Sequence, residues 1–452
     1  MRSGVRKSLA ILFGLVMLLI IPNTGMIPAV ASSGAPNGEE MTAALSSPRL
    51  VALKNAIAAG HRAALENFWQ DITKQGAPLI EPLKDDAQHR LVTFLWRDQK
   101  DTRVIISNDF AKSVNEMQLT RLPATDVWYK TYRMRDDARF LYQYCVDDPN
   151  FPFVSEEETK YPTKFQPDPL NPRQYDRLKP RIFSVVELPN APSLQITERR
   201  TEVPKGLVGQ IQPDFKSTIL NSERRIFIYK PPGFTADGPA YPLIVVAATY
   251  VSTIPLPVVL DNLLAKGLMP PVVVVFDLPV GTQQHDSSCD ARYADFLAKE
   301  LIPAVRERLH ATTDPKQIIV GGASMGGLSA SCAAFYHPEV FGNVLSQSGS
   351  YWWSPENDPE DQWLTRQLAN GPKLPIKFYL SIGLLESEQA LRGGLISMLH
   401  SNRHFRDVLQ ARGYTVHYRE INSGHDYYNW QATIADGLIA LLGKNPNQPA
   451  KP

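Results

Sequence analysis

Cysteine is scarce in this chain of 452 residues: Cys145, Cys289 and Cys332 are the whole complement. Three cysteines exclude a disulfide-rich scaffold and allow at most one bridge plus a free thiol. No Cys/His spacing fits a structural zinc site, so no metal is expected. Net charge is nearly absent as well. Forty-seven Lys and Arg face 46 Asp and Glu, a formal charge of +1, which removes the electrostatic reason to expect a nucleic-acid partner. Apolar runs long enough to cross a membrane are missing, and the longest candidate, Leu9–Ile21, is short for a span. That run follows Arg2, Arg6 and Lys7 and precedes Ala29-Val30-Ala31, the order of a secretory signal peptide. The expectation is an exported protein, periplasmic or extracellular, with no stable membrane span.

What is present divides the chain. Residues 1–31 read as the signal peptide and 32–60 as a linker and helical segment; Met41–Phe68 carries helical spacing. Short β-branched and aromatic runs follow, LVTFLWR (91–97), RVIIS (103–107), VWYKTYRM (127–134) and RFLYQYCV (139–146), separated by turn residues. They predict a small all-β sandwich over residues 61–200, ending in a proline-rich connector between Phe151 and Pro180. Beyond about Thr201 the strand signals strengthen. YPLIVVAA (241–248), PPVVVVFDL (270–278) and KQIIVGG (316–322) are apolar almost throughout, as strands buried on both faces should be. Helix-like stretches such as Asp290–Leu309 alternate with them. Residues 201–445 are therefore expected to form a doubly wound, mostly parallel α/β domain, with 446–452 as a tail.

One hydroxyl sits among four glycines at the end of a buried strand, in IIVGGASMGGLSA (318–330). Gly322-Ala323-Ser324-Met325-Gly326 fits G-x-S-x-G, the strand-to-helix elbow that exposes a nucleophilic serine and aims the following backbone N–H, here that of Met325, at a developing oxyanion. A serine needs a base, and in this fold the order is Ser, acid, His. His425, in INSGHDYYNW just after the last predicted strand, is the candidate base. Glu386, beyond the strand KFYLSIG (377–383), is the candidate acid, with Glu388 as competitor; Asp426 is expected to hold the loop. A second oxyanion donor is expected from the loop after YPLIVVAA, at the N–H of Ala248 or Thr249.

SMGGLSA, HPEVFGNVLSQSGSYWW (337–353) and GHD with Trp430 downstream resemble the catalytic domain of enterochelin esterases, in the esterase-D branch of the α/β-hydrolases. NFWQ (67–70), VTFLWR, ATDVW (124–128), DPLNP (168–172) and VVELPNAP (185–192) resemble that family's N-terminal β-domain and connector. The likeness runs from about Leu65 to Leu442. It implies hydrolysis of the ester bonds of a catecholate siderophore trilactone, ferric or iron-free, with nucleophile, base and acid at Ser324, His425 and Glu386. No cofactor is implied, and ferric iron would belong to the substrate. Three departures bear on that substrate: Ala247-Ala248-Thr249 replaces an Asp-Gly-Glu/Gln stretch, and Gln283 and Leu385 stand where arginines are familiar. Tyr351, Trp352, Trp353 and Tyr427 are candidate stacking surfaces for aromatic rings, and Arg392 a candidate cation. The alternatives are an exported carbohydrate or aryl (feruloyl or acetyl) esterase and, beyond that, a non-catalytic binding protein on the same scaffold.

Overall fold

The computed structural model describes residues 47–107, 114–148, 164–280, 288–387 and 397–443. The signal-peptide segment, Gln283, Glu388, Arg392 and the tail lie outside them. The first described elements are two helices, Pro48–Ala58 and Ala64–Gln75, broken at Gly60, whose φ of 83° ends the first. Of the helical spacing expected over 41–68, residues 41–46 lie outside the described residues, and the rest carries these two helices, the second running on to Gln75.

Nine strands follow among the described residues: β1 (Leu79–Leu83), β2 (Asp86–Arg97), β3 (Val104–Ser107), β4 (Thr120–Arg121), β5 (Val127–Arg135), β6 (Arg139–Val146), β7 (Phe165–Gln166), β8 (Gln174–Leu178) and β9 (Arg181–Glu187). One antiparallel sheet runs β1-β2-β5-β4 and a second runs β3-β6-β9-β8, with β7 on β6. Their inner faces meet: Val92 and Phe94 of β2 and Trp128 and Met134 of β5 pack on Val104, Ile106, Phe140, Tyr142, Tyr144 and Val186 from the other sheet. The end of the proline-rich connector is not a loose strap, because Gln174–Leu178 joins β9 by antiparallel pairing.

The second half carries one eight-stranded sheet. Its strands are β10 (Leu207–Ser217), β11 (Ser222–Lys230), β12 (Leu243–Ala247), β13 (Val273–Pro279), β14 (Ile318–Ala323), β15 (Asn343–Gln347), β16 (Lys377–Gly383) and β17 (Thr415–Ile421). The order is β10-β11-β13-β12-β14-β15-β16-β17, antiparallel across β10-β11-β13 and parallel from β13 onward. Alternate residues go to opposite faces. Val245, Val275, Val320, Val344 and Phe378 pack under the helices of 291–309 and Met325–Tyr336. Ile244, Val274, Phe276, Ile319 and Tyr379 pack under Leu256–Ala265 and Tyr427–Leu442. Both faces are covered, which is why the central strands read as unbroken apolar runs.

Chain order reverses across β12 and β14, and loops leaving the carboxyl ends of strands at such a switch point form a crevice. Ser324 follows β14, Thr249 follows β12, Glu386 follows β16 and His425 follows β17. The fold therefore gathers the candidate residues on one edge. A Cys289–Cys332 disulfide ties the segment before Ala291 to the helix that Ser324 opens, and Cys145 is free and buried in the β-domain. Among the described residues, no helix is long and apolar enough to cross a membrane.

Candidate active site

Ser324 stands at φ 57°, ψ −127°, a conformation that L residues avoid, and it caps the helix Met325–Tyr336. Its own N–H is held by the carbonyl of Gln347 in the neighbouring strand (2.9 Å), and its carbonyl accepts from Ser350 N–H (3.1 Å). The glycines that permit this are not both those of the motif. A Cβ on Gly322 would lie 2.3 Å from the Gly326 carbonyl oxygen, so position 322 excludes a side chain, whereas a Cβ on Gly326 meets nothing within 4 Å. The second steric requirement falls one residue later, where a Cβ on Gly327 would lie 2.5 Å from Ser346 Oγ.

The structure brings Ser324, His425 and Glu386 into one hydrogen-bonded line. His425 Nε2 lies 2.9 Å from Ser324 Oγ, and His425 Nδ1 lies 2.7 Å from Glu386 Oε2. Glu386 is fully buried. Its other oxygen, Oε1, accepts from Ser348 Oγ (2.7 Å), the Gly383 N–H (2.8 Å) and Asn429 Nδ2 (3.0 Å). The carboxylate is thereby fixed on one side and presents its second oxygen to the imidazole. The imidazole also meets the edge of the Trp430 ring, 5.3 Å between centroids and 87° between planes. Such an array can take the proton from a serine hydroxyl and hold the resulting imidazolium.

Ser348 and Asn429 were not singled out in the sequence. Ser348 sits at φ 48° in the turn after β15 and also accepts from Trp430 Nε1 (3.1 Å). Both are small polar residues distant in the chain from Glu386, and no local pattern marks them. Asp426 does not join the line. It caps the helix Tyr427–Leu442 by accepting from Asn429 N–H (3.0 Å).

A cavity of about 480 Å³ opens beside Ser324 and His425, within the range of small-molecule sites. Met325, Thr249 and Tyr427 line it. The Met325 N–H is at the first helical position, where no intrahelical partner exists, as an oxyanion donor must be. Ala248 is corrected: its N–H donates to the Asp277 carbonyl (2.9 Å) to continue the strand pairing, so it is spent, whereas Thr249, the other donor expected there, lines the cavity.

Three of the aromatic candidates are also corrected. Tyr351 is buried, stacked on Phe405 at 3.8 Å with its hydroxyl against Ser331 Oγ (2.8 Å). Trp352 packs with Ile382, Met398 and Leu399, and Trp353 beside them. None of the three lines the cavity, because the turn after Ser350 sends Tyr351 to Ser331 of the nucleophile helix and Trp352 to Met398 and Leu399. Leu385, in place of an arginine, packs against the β-domain core. The cavity wall does hold one arginine that the sequence did not single out. Arg224 of β11 donates to Asp277 through Nε (2.9 Å) and Nη2, and Tyr293 OH donates to the same carboxylate (3.1 Å).

Comparison with known proteins adds a family to this geometry. Residues 217–441 match the model described as a putative esterase, and residues 91–196 match that of the enterochelin esterase N-terminal domain. The chain belongs to the enterochelin esterase family. It is 29% identical over 427 residues to an iron(III) enterobactin esterase of Dickeya dadantii, spanning 85% of this chain and 95% of that one. An iron(III) salmochelin esterase of Escherichia coli is 25% identical over 87% of this chain and 98% of its own. The crystal structure of an enterobactin esterase from Shigella flexneri in the presence of enterobactin superposes with a TM-score of 0.63 at 26% identity, covering 83% of this chain and 97% of that one. The enterochelin-esterase fold, a β-domain followed by an α/β-hydrolase domain, is thus the fold of this chain.

Proposed function

We propose that this protein is a serine esterase that opens the ester bonds of a catecholate siderophore trilactone. The observation that carries the reading is the continuous line Ser324–His425–Glu386 at the mouth of a cavity, in a chain whose two domains match those of enterobactin esterases in order. His425 Nε2 takes the Ser324 proton as Oγ attacks the ester carbonyl, and the Met325 N–H stabilises the oxyanion. The imidazolium returns its proton to the departing alkoxide, leaving an acyl-enzyme on Ser324 and one opened ester. Water, deprotonated by the same imidazole, releases the acid.

The described cavity wall has little net charge to offer, since Arg224 is matched by Asp277. A ferric tricatecholate carries about three negative charges and draws on cationic side chains. The iron-free trilactone is therefore the substrate expected to turn over faster. Export to the periplasm or the medium is part of the proposal: the basic, apolar and small-residue order of residues 2–31 supports it. The Cys289–Cys332 bridge agrees with an oxidising compartment.

The test is chromatography of linear trimer, dimer and monomer formed from iron-free and ferric enterobactin, with Ser324→Ala as control. The account expects serine-dependent cleavage, faster without iron, and a fall of about a millionfold in kcat for Ser324→Ala. Absence of cleavage by a protein that still takes a fluorophosphonate on Ser324 would assign the machinery to another ester.

A further inference from the structure

Between Arg139 and Tyr142, β6 pairs with β9 on one edge, while among the described residues β3 joins it only from Gln143 onward. An edge left open in this way exposes alternate backbone N–H groups. Here the loop carrying His425 fills it. The Arg139 N–H donates to the Asn422 carbonyl (3.0 Å), and the Leu141 N–H donates to Asp426 Oδ2 (2.9 Å). Asn422 Nδ2 adds a bond to Asp137 Oδ1 (3.0 Å).

Asp426 is the hinge of this contact. It is 7% exposed, and its two oxygens face different domains: Oδ1 caps the C-terminal helix at Asn429, and Oδ2 takes the β-domain strand. Asn429 in turn donates to Glu386 Oε1 and to the Gly424 carbonyl (2.9 Å). The acid loop is seated on the same domain, because Leu385, next to Glu386, packs against the β-sandwich core. The loop after β12 is held too, by Tyr175 OH on the Thr253 carbonyl (2.9 Å), and the Tyr175 ring stacks 6.2 Å from that of Tyr427, which lines the cavity.

We propose that the β-domain positions the base and acid of the triad, and that Asp426 is the positioning residue through which β6 sets the place of His425. The proposal rests on the triad reading above. It gives the β-domain a role in the chemical step that does not depend on touching substrate. A carboxylate accepting a buried N–H forms a charge-assisted bond, stronger than a neutral one, and so restrains a loop that would otherwise move.

Asp426→Asn separates the two functions of the side chain. Asparagine caps helices as well as aspartate does, so Oδ1 can still receive Asn429 N–H, but its NH₂ then opposes the Leu141 N–H, donor against donor. The measurement uses the full chain and p-nitrophenyl acetate, a neutral ester too small to span the site, alongside the rate of fluorophosphonate attachment to Ser324. The expected result is a kcat lowered at least about tenfold, since small misplacements of catalytic groups cost up to about a hundredfold. Attachment should slow by the same factor, with KM within about twofold of wild type. Tyr175→Phe, which keeps the ring and loses its bond to the Thr253 carbonyl while Gln431 Nε2 still donates there, should slow both rates less.

Wild-type kcat and attachment rate in folded Asp426→Asn would overturn the proposal. So would a loss confined to siderophore turnover, which would make the β-domain a substrate wall. Should Asp426→Asn not fold, Asn422→Ala, which removes only the bond to Asp137, is read by the same two rates, and wild-type values for it overturn the proposal. A wild type that labels on Ser324 and cleaves the small ester, yet leaves enterobactin intact, would remove the substrate assignment and leave the positioning result standing. A wild type that neither labels nor cleaves would remove both.

Discussion

Asp277 in β13 and Glu386 after β16 are both buried carboxylates at the carboxyl edge of one sheet, 2% and 0% exposed. Asp277 accepts two guanidinium N–H groups from Arg224 and the Tyr293 hydroxyl. Glu386 accepts three neutral donors on one oxygen and faces the His425 ring with the other. The difference lies in the partner. A guanidinium stays charged throughout the working pH range, so the Asp277 charge is permanently matched and structural. An imidazole gains and loses its proton, so the Glu386 charge can act when Ser324 is deprotonated, by orienting the ring and stabilising the imidazolium.

Replacing each carboxylate by its carboxamide breaks the comparison in opposite ways. Glu386→Gln keeps shape and burial but offers the imidazole a poorer partner in the wrong tautomeric sense. The expected loss is about ten-thousandfold in kcat, with little change in Tm, read from steady-state kinetics and a thermal melt. Asp277→Asn leaves the buried Arg224 without its counter-charge, at a cost of about 3–5 kcal/mol of stability measured by urea unfolding. Its remaining folded molecules should keep kcat within about tenfold of wild type, because the Ser324–His425–Glu386 line is untouched.

A third buried carboxylate sharpens the rule. Asp168 of the β-domain is fully buried among neutral donors, Tyr142 OH (2.7 Å), the Leu170 N–H (2.8 Å) and the Tyr144 hydroxyl. Burial without a cation pushes its pKa up to about 6, against a reference near 3.8. A raised carboxyl pKa means that the folded state holds its proton longer than the unfolded chain. The group's contribution is complete below about pH 4 and is lost as pH rises to about 6, a change of about 3 kcal/mol. Asp168→Asn has no such titration. Between pH 4 and 6 the stability difference should therefore move in the variant's favour by about that amount; a difference independent of pH would contradict the assignment.

The parts of this picture that the sequence shows plainly are those with a local signature. β12, β13 and β14 are legible because burial on both faces makes each an apolar run, and Ser324 because the elbow needs its pattern within five residues. His425 and Glu386 follow from chain order after strands. β10 is hidden by Gly209 and Pro213 on a bulged edge, and β15 by being short and half polar, NVLSQ, though every residue in it is buried. The partners of Glu386 were invisible because Ser348 and Asn429 lie 38 and 43 residues from it in the chain. Tyr351, Trp352 and Trp353 mislead for the opposite reason: an aromatic cluster near a nucleophile looks like a binding surface, whereas here Tyr351 packs on the nucleophile helix and Trp352 on Ile382, Met398 and Leu399.

The central claim is that Glu386 and not Asp277 drives Ser324 through His425. Its most direct test is the rate at which a fluorophosphonate attaches to Ser324 in Glu386→Gln and in Asp277→Asn, each corrected for the folded fraction. The account predicts slowing of at least about a thousandfold in the first and less than about tenfold in the second. Equal slowing in both, or a wild-type rate in Glu386→Gln, would contradict it.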